Sequence, residues 1–277
     1  MKDVKNQVIL VTGSTDGLGK GTATVLAGMG ATVLLHGRDK TKLEKTVKEI
    51  QKATNNDRTE TYAGDYSSLE EVRRLAAEVQ KNHDHLDVLI NNAGIGTGSP
   101  ATLQRRELSR DGYELRFQVN YLAHFLLTNL LVPSLQKGSP SRIINIASVG
   151  QDTIDFNNIM LDKGYDGSRA YRQSKTALIM FTFDLAERLK KEAITVNSLH
   201  PATYMDTKMV REDIGKGIQG IQPGIEAVIN LALSPDLNAM TGRYFDGKRE
   251  SRAIQQAYDA SARKELRLIS EKITGVL

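Results

Sequence analysis

The segment Thr12-Gly13-Ser14-Thr15-Asp16-Gly17-Leu18-Gly19 restricts the fold of this chain more than any other feature. It follows a short apolar run, VILVT (8–12), and opens a helical pattern near 18–29. Gly13 suits a tight turn. Gly17 lets backbone approach a bound group closely, and Gly19 lets a helix pack near the sheet. A helix that begins here aims free N–H groups and its positive dipole end at the turn, which makes the turn a pyrophosphate site.

A P-loop is the rival reading of the same residues. Five residues separate Gly13 from Gly19, and Lys20 is followed by Gly21, not by Ser or Thr. The phosphate-cradling lysine and the magnesium-binding hydroxyl would be misplaced, which excludes an NTPase of that type.

The rest of the chain repeats the strand-then-helix order. Further apolar runs are TVLLH (32–36), ETYAG (60–64), LDVLIN (86–91), RIINIAS (142–148), ITVNSLH (194–200) and RYFDG (243–247). Several are continuous, not alternating, as expected of strands covered on both faces of a parallel sheet. Helical patterns lie near 40–53, 68–82, 111–135, 168–191 and 224–233, with an amphipathic C-terminal helix over about 251–275. The expectation is α/β: a Rossmann-type doubly wound parallel sheet of about seven strands, in a single domain over 1–277.

Composition removes several function classes. There is no cysteine, so disulfides, thiolate metal sites and cysteine nucleophiles are excluded, and no metal site is expected. Net charge is +4, from 37 basic and 33 acidic residues, with no basic cluster interleaved with aromatics. No nucleic-acid partner is expected on that basis. The N-terminal MKDVKNQVILVTG does not read as a signal peptide. No stretch reaches the roughly 18 apolar residues of a membrane span. Residues 119–135 come nearest and are interrupted by Asn120, His124, Thr128 and Asn129. A cytoplasmic protein is expected.

The spacing G-x3-G-x-G behind Thr12 resembles the short-chain dehydrogenase/reductase family. The long segment between Ser148 and Tyr171, together with YRQSKTALIMFTFDLAERL (171–189), HPATYMDTKMV (200–210) and KELRLISEKITG (264–275), is similar to its retinol-dehydrogenase-like and protochlorophyllide-reductase-like branch. The resemblance spans essentially the whole chain. It implies hydride transfer between a nicotinamide cofactor and a small carbonyl or alcohol substrate, often a lipophilic one. Family members often pair through the helices matching 111–135 and 168–191, so a homo-oligomer is compatible with it.

Cofactor choice is written at the end of the second strand. An NAD-binding fold is expected to place an acid there for the ribose 2′-OH. This chain has Gly37-Arg38, and a guanidinium suits a 2′-phosphate. NADP(H) is therefore expected, with NAD(H) left open. Asp39 reads as the N-cap of the next helix. Asp65, in Gly64-Asp65-Tyr66, matches the family position at the adenine; an N-cap for the helix at 68–82 is the alternative. The resemblance also brings Asn92, Ala93 and Gly94 to the cofactor. It adds Pro201, Thr203 and Thr207, either threonine being a candidate for the nicotinamide amide. The expected cofactor set from the turn is Gly13, Ser14, Thr15, Asp16, Gly17, Leu18 and Gly19, and it extends to Arg38, Asp65, Tyr66, Tyr171 and Lys175.

Chemistry is expected at Tyr171. A phenol with a pKa near 10 is a poor acid–base catalyst at neutral pH unless a nearby ammonium stabilises its phenolate. Tyr171 and Lys175 stand four apart and share a helix face. Two other Tyr-x3-Lys pairs exist, Tyr204/Lys208 and Tyr244/Lys248. Tyr244 begins a strand, where four residues span about 13 Å, and Tyr204 lies in a loop. Ser148, at the end of RIINIAS, is expected to polarise the substrate oxygen. The asparagine matching Asn120 holds a proton-relay water in the family. Residues 203–222 are expected to form a substrate lid, and His200 to be structural. Two further readings are a C=C reductase on the same fold and a non-catalytic NADP(H)-binding regulator.

Overall fold

The computed structural model describes residues 2–276; Met1 and Leu277, the ends of the expected 1–277 domain, lie outside the described residues. Eight strands form one sheet: β1 Val8–Val11, β2 Thr32–Gly37, β3 Thr59–Ala63, β4 Val88–Asn91, β5 Ser141–Ile146, β6 Ile194–His200, β7 Arg243–Asp246 and β8 Arg249–Ser251. Their order is β3-β2-β1-β4-β5-β6-β7-β8. All neighbouring pairs are parallel except β7 with β8. The order in which strands are added reverses between β1 and β4, the switch point where such sheets open a crevice at their carboxyl ends.

The helices are α1 Gly17–Gly28, α2 Lys40–Thr54, α3 Leu69–Asn82, α4 Leu115–Phe117, α5 Ala123–Lys137, α6 Gly167–Arg188, α7 Lys208–Ile214, α8 Gln222–Leu233 and α9 Ala260–Thr274. Side-chain caps start several of them. Asp16 accepts from Gly17 N for α1, and Asp39 from Lys42 N for α2, as expected of Asp39. Ser68 accepts from Glu71 N for α3, and Asp166 from Arg169 N for α6.

The continuous strand runs split between two cores. Leu10, Leu34, Leu89 and Ile143 face α3, α5, α6 and α9, while Ile9, Val11, Val33, Val88 and Ile144 face α1, α2 and α8. Both sets are essentially inaccessible, which is why the sequence shows no alternation.

The expected sheet of about seven strands is found with one more, and two helix expectations are corrected. The sheet has eight strands, because Arg249–Ser251 folds back on β7. Residues 251–259 consequently precede the C-terminal helix, which begins at Ala260 with Asp259 as its N-cap. The expected helix over 111–135 is composite. It starts at Leu115, behind a buried Glu114 whose carboxylate caps Phe117 N at 2.6 Å, and passes through a π-helical turn, Gln118–Leu122, into α5.

Candidate active site

The carboxyl ends of β1 to β6 border a cleft of about 1010 Å³, large for a small-molecule site and open along one side. At one end lies the turn between β1 and α1. Gly13 has φ +63°, and a Cβ there would lie 2.7 Å from Ala93 Cα. A Cβ on Gly19 would lie 2.3 Å from Gly13 O and 2.4 Å from Asn92 Nδ2. Gly19 therefore lets α1 close on the turn itself, not on the sheet as expected. The Thr12 hydroxyl accepts from the N–H groups of Asn92 (2.9 Å) and Ala93 (3.0 Å), and Asn92 Nδ2 donates to Thr12 O at 2.7 Å. The turn and the Asn92–Gly94 segment are thus one hydrogen-bonded unit.

Thr15, Asp16, Gly17, Leu18, Arg38, Asp65, Asn92, Ala93, Gly94, Pro201, Thr203 and Thr207 border this cleft, as do Gly13 and Tyr66. Ser14 does not: it is buried, and its hydroxyl is spent on β2, accepting from His36 N at 3.0 Å and donating to His36 O. Gly19 is likewise withdrawn behind the turn. The ring of Tyr66 is buried between two histidines, so it offers the cleft little surface. Asp65 is not the N-cap of α3; it accepts from Ser67 N in a local turn, and Ser68 caps the helix. Arg38 is exposed and has no ion pair among the described residues. Lys42, at the same end, pairs with Asp16 at 3.2 Å.

Ser148, Tyr171 and Lys175 meet at the other end. Ser148 sits two residues past β5, and its Oγ accepts from Gly150 N at 3.0 Å. Its carbonyl accepts from Tyr244 Oη and Gln151 Nε2, both at 3.0 Å. One helix, α6, presents Tyr171 and Lys175 together. Lys175 Nζ donates to Ile146 O at 2.9 Å and lies 5.7 Å from the Tyr171 ring centre. Burial pulls the Lys175 ammonium down to about 8. Burial also pushes the Tyr171 phenol above its ordinary value, a hydrogen bond from Ser148 works the other way, and the charge of Asp213 adds to the rise. The expected depression of Tyr171 by the ammonium is not seen in this geometry, where desolvation dominates.

Asn120 does not reach the cleft surface. It lies in the π-helical turn, a frequent mark of function, where its Oδ1 accepts from Ile95 N at 2.8 Å and its Nδ2 donates to Ile95 O and Ser174 Oγ. A Cβ on Gly94 would sit 3.1 Å from Asn120 Oδ1 and 3.6 Å from Lys175 Nζ, so Asn120, Gly94 and Lys175 form one floor. This glycine-lined floor, the α1 N-terminus and the exposed Arg38 together fit a dinucleotide laid across the switch point.

The expected lid contains a helix, α7. Thr207 caps it by accepting from Val210 N at 3.3 Å, while its Cγ2 stands 3.1 Å from where a Gly17 Cβ would be. Thr203 Oγ1 contacts His200 Nε2 at 3.0 Å. Asp213 accepts from the N–H groups of Thr97 and Gly98, both at 3.1 Å, and so latches α7 over the cleft. The two decoy pairs separate: Lys208 pairs with Glu212 and Lys248 with Glu226. Tyr244 still matters, because it supports Ser148. Asp213 and Gln151 carried no local motif, and the part Tyr244 plays beside Ser148 could be found only through the fold.

A short chain dehydrogenase family model matches residues 7–216. The chain is 34% identical to retinol dehydrogenase 13 of Mus musculus, over 99% of this chain and 85% of that protein. It superposes with a TM-score of 0.79 on an uncharacterized protein from Mycobacterium paratuberculosis, at 28% identity, covering 98% of this chain and 94% of that one. A short chain dehydrogenase from Shigella flexneri complexed with NADP gives 0.72, at 26% identity, covering 90% and 100%. The chain belongs to the short-chain dehydrogenase/reductase family, in its retinol-dehydrogenase-like branch, and is an NAD(P)-dependent oxidoreductase acting on alcohols or carbonyls. Among the described residues, no helix is long and apolar enough to cross a membrane.

Proposed function

We propose that the protein is an NADP(H)-dependent oxidoreductase for a lipophilic alcohol, aldehyde or ketone, with Tyr171 as its general acid–base. The observation that carries this reading is the meeting of Ser148, Tyr171 and Lys175 at one end of a cleft whose other end holds Arg38. The bound nicotinamide supplies hydride. Ser148 orients the substrate oxygen, its own Oγ fixed by the Gly150 amide. Tyr171 gives its proton to that oxygen in reduction and takes it back in oxidation. Lys175 holds positive charge under the phenol, and Asn120 holds the segment between Gly94 and α6. Leu108, Val149 and Tyr204, each about half exposed, border the cleft and suit an apolar substrate.

Arg38 carries the preference for the 2′-phosphate, with Lys42 adding charge. Titrations of wild type and Arg38→Ala with NADPH and NADH test it. Wild type binds NADPH more tightly, and Arg38→Ala loses about tenfold or more for NADPH alone. Equal wild-type affinities refute the preference.

A further inference from the structure

His36 is the last buried polar side chain of β2 before Gly37 and Arg38, and nothing in the proposed chemistry uses it. Its ring is bonded on both sides. Nδ1 accepts from Gly13 N at 3.2 Å, and Nε2 contacts Gly64 O at 3.0 Å. A carbonyl can only accept, so Nε2 carries the hydrogen; a backbone amide can only donate, so Nδ1 is bare. The two partners therefore select the same tautomer independently, and that tautomer is the neutral ring. The backbone of His36 grips the same turn: its carbonyl accepts from Ser14 N at 2.9 Å, and its N–H donates to Ser14 Oγ at 3.0 Å.

The ring also belongs to a buried column. It stacks on Tyr66, with centres 4.6 Å apart and planes at 25°. Tyr66 meets His124 edge-on at 5.2 Å, and His124 Nε2 donates to Ala93 O at 2.7 Å. The column runs behind the cleft from the phosphate turn to the Asn92–Gly94 segment. At Gly64 it touches the residue before Asp65, at the adenosine end.

We propose that His36 is a positioning residue for the dinucleotide. Its imidazole, clamped between the Gly13 amide and the Gly64 carbonyl, keeps the phosphate turn in register with the adenosine end of the cleft. The Gly13 amide is turned inward by this bond and is not itself a phosphate ligand. Without the acceptor at Nδ1, a buried amide at the apex of the turn loses its partner, and the turn must shift to find another. The proposal rests on the reading that this cleft holds the nicotinamide dinucleotide.

Asparagine and glutamine separate the two bonds. The Asn Oδ1 can occupy the place of Nδ1 and accept from Gly13, whereas the Gln amide reaches toward Gly64 and leaves Gly13 without its acceptor. Kd for NADPH is measured by fluorescence, with the melting temperature, for His36→Asn, His36→Gln and His36→Leu. The expected result is a loss of about tenfold for Leu and Gln, the worth of one buried hydrogen bond, and a loss within about threefold for Asn. A purely structural role would lower the melting temperatures without ranking the affinities in this way. Affinity within twofold of wild type in the Leu variant, or equal losses for Asn and Gln, overturns the proposal. If the Leu variant does not fold, the comparison of Asn with Gln still decides it. Wild-type protein that bound neither NADPH nor NADH would overturn the cofactor reading itself, a distinguishable failure.

Discussion

Acidification to pH 5 strips stability from this fold through two histidines. His36 and His124 are buried; the His36 ring is hydrogen-bonded at both nitrogens, and His124 Nε2 donates to Ala93 O. Burial pulls His36 from 6.5 down to about 4, with the Gly64 hydrogen bond and the Asp65 charge resisting. Burial pulls His124 down to about 3, and the charges of Lys175 and His36 push the same way. The unfolded chain therefore binds more protons than the folded one between about pH 4 and 6.5, so stability rises with pH across that window. Stability is fully present above pH 6.5 and falls as pH drops toward the folded-state values. At pH 5 each unfolded imidazole is protonated and each folded one is not, which costs about 2 kcal/mol per histidine, or about 4 kcal/mol for the pair. That is a large part of the stability of an ordinary domain. Urea unfolding from pH 8 to pH 5 reads the loss directly, and His36→Gln with His124→Gln should flatten the dependence. Imidazole NMR gives a second view: neither ring should titrate above pH 5 in the folded protein. A loss below about 1 kcal/mol, or a ring that titrates near 6.5, would refute the reasoning.

Gly19→Ala puts a methyl 2.3 Å from Gly13 O and 2.4 Å from Asn92 Nδ2, both in the turn unit. It should cost about 1–3 kcal/mol in urea unfolding and weaken NADPH binding by at least tenfold in a fluorescence titration. Asp213→Asn removes a negative charge that raises Tyr171. The limb of the pH–rate profile belonging to Tyr171 should therefore move to lower pH, and an unmoved limb contradicts that assignment.

The inner sheet was legible because β1, β4, β5 and β6 are covered on both faces, so each carries buried Val, Leu or Ile on both sides, in β5 and β6 beside buried polar residues such as Asn145 and Asn197. β8 was not, since Arg249 and Glu250 are exposed on an edge strand that buries nothing. α7 escaped because it is only seven residues long, and its placement comes from Asp213 on the Thr97 and Gly98 amides. Tyr171, Lys175 and Ser148 could be picked out by their order and context. What spacing could not supply was burial, which lifts Tyr171 and lowers Lys175 at once. Ser14 reads as a phosphate ligand in the linear motif, yet its hydroxyl faces His36 on a strand that lies 22 residues away in sequence. His36 itself reads as one polar residue in an apolar run until the fold brings Gly13 and Gly64 to its two nitrogens.

The most direct test of the account is hydride transfer from NADPH to a panel of long-chain aldehydes and ketones, by wild type and by Tyr171→Phe, with NADPH affinity measured for both. The account predicts turnover by wild type, a loss of about 100-fold or more in Tyr171→Phe, and NADPH affinity within a few-fold. Near-wild-type turnover by the Phe variant would contradict it.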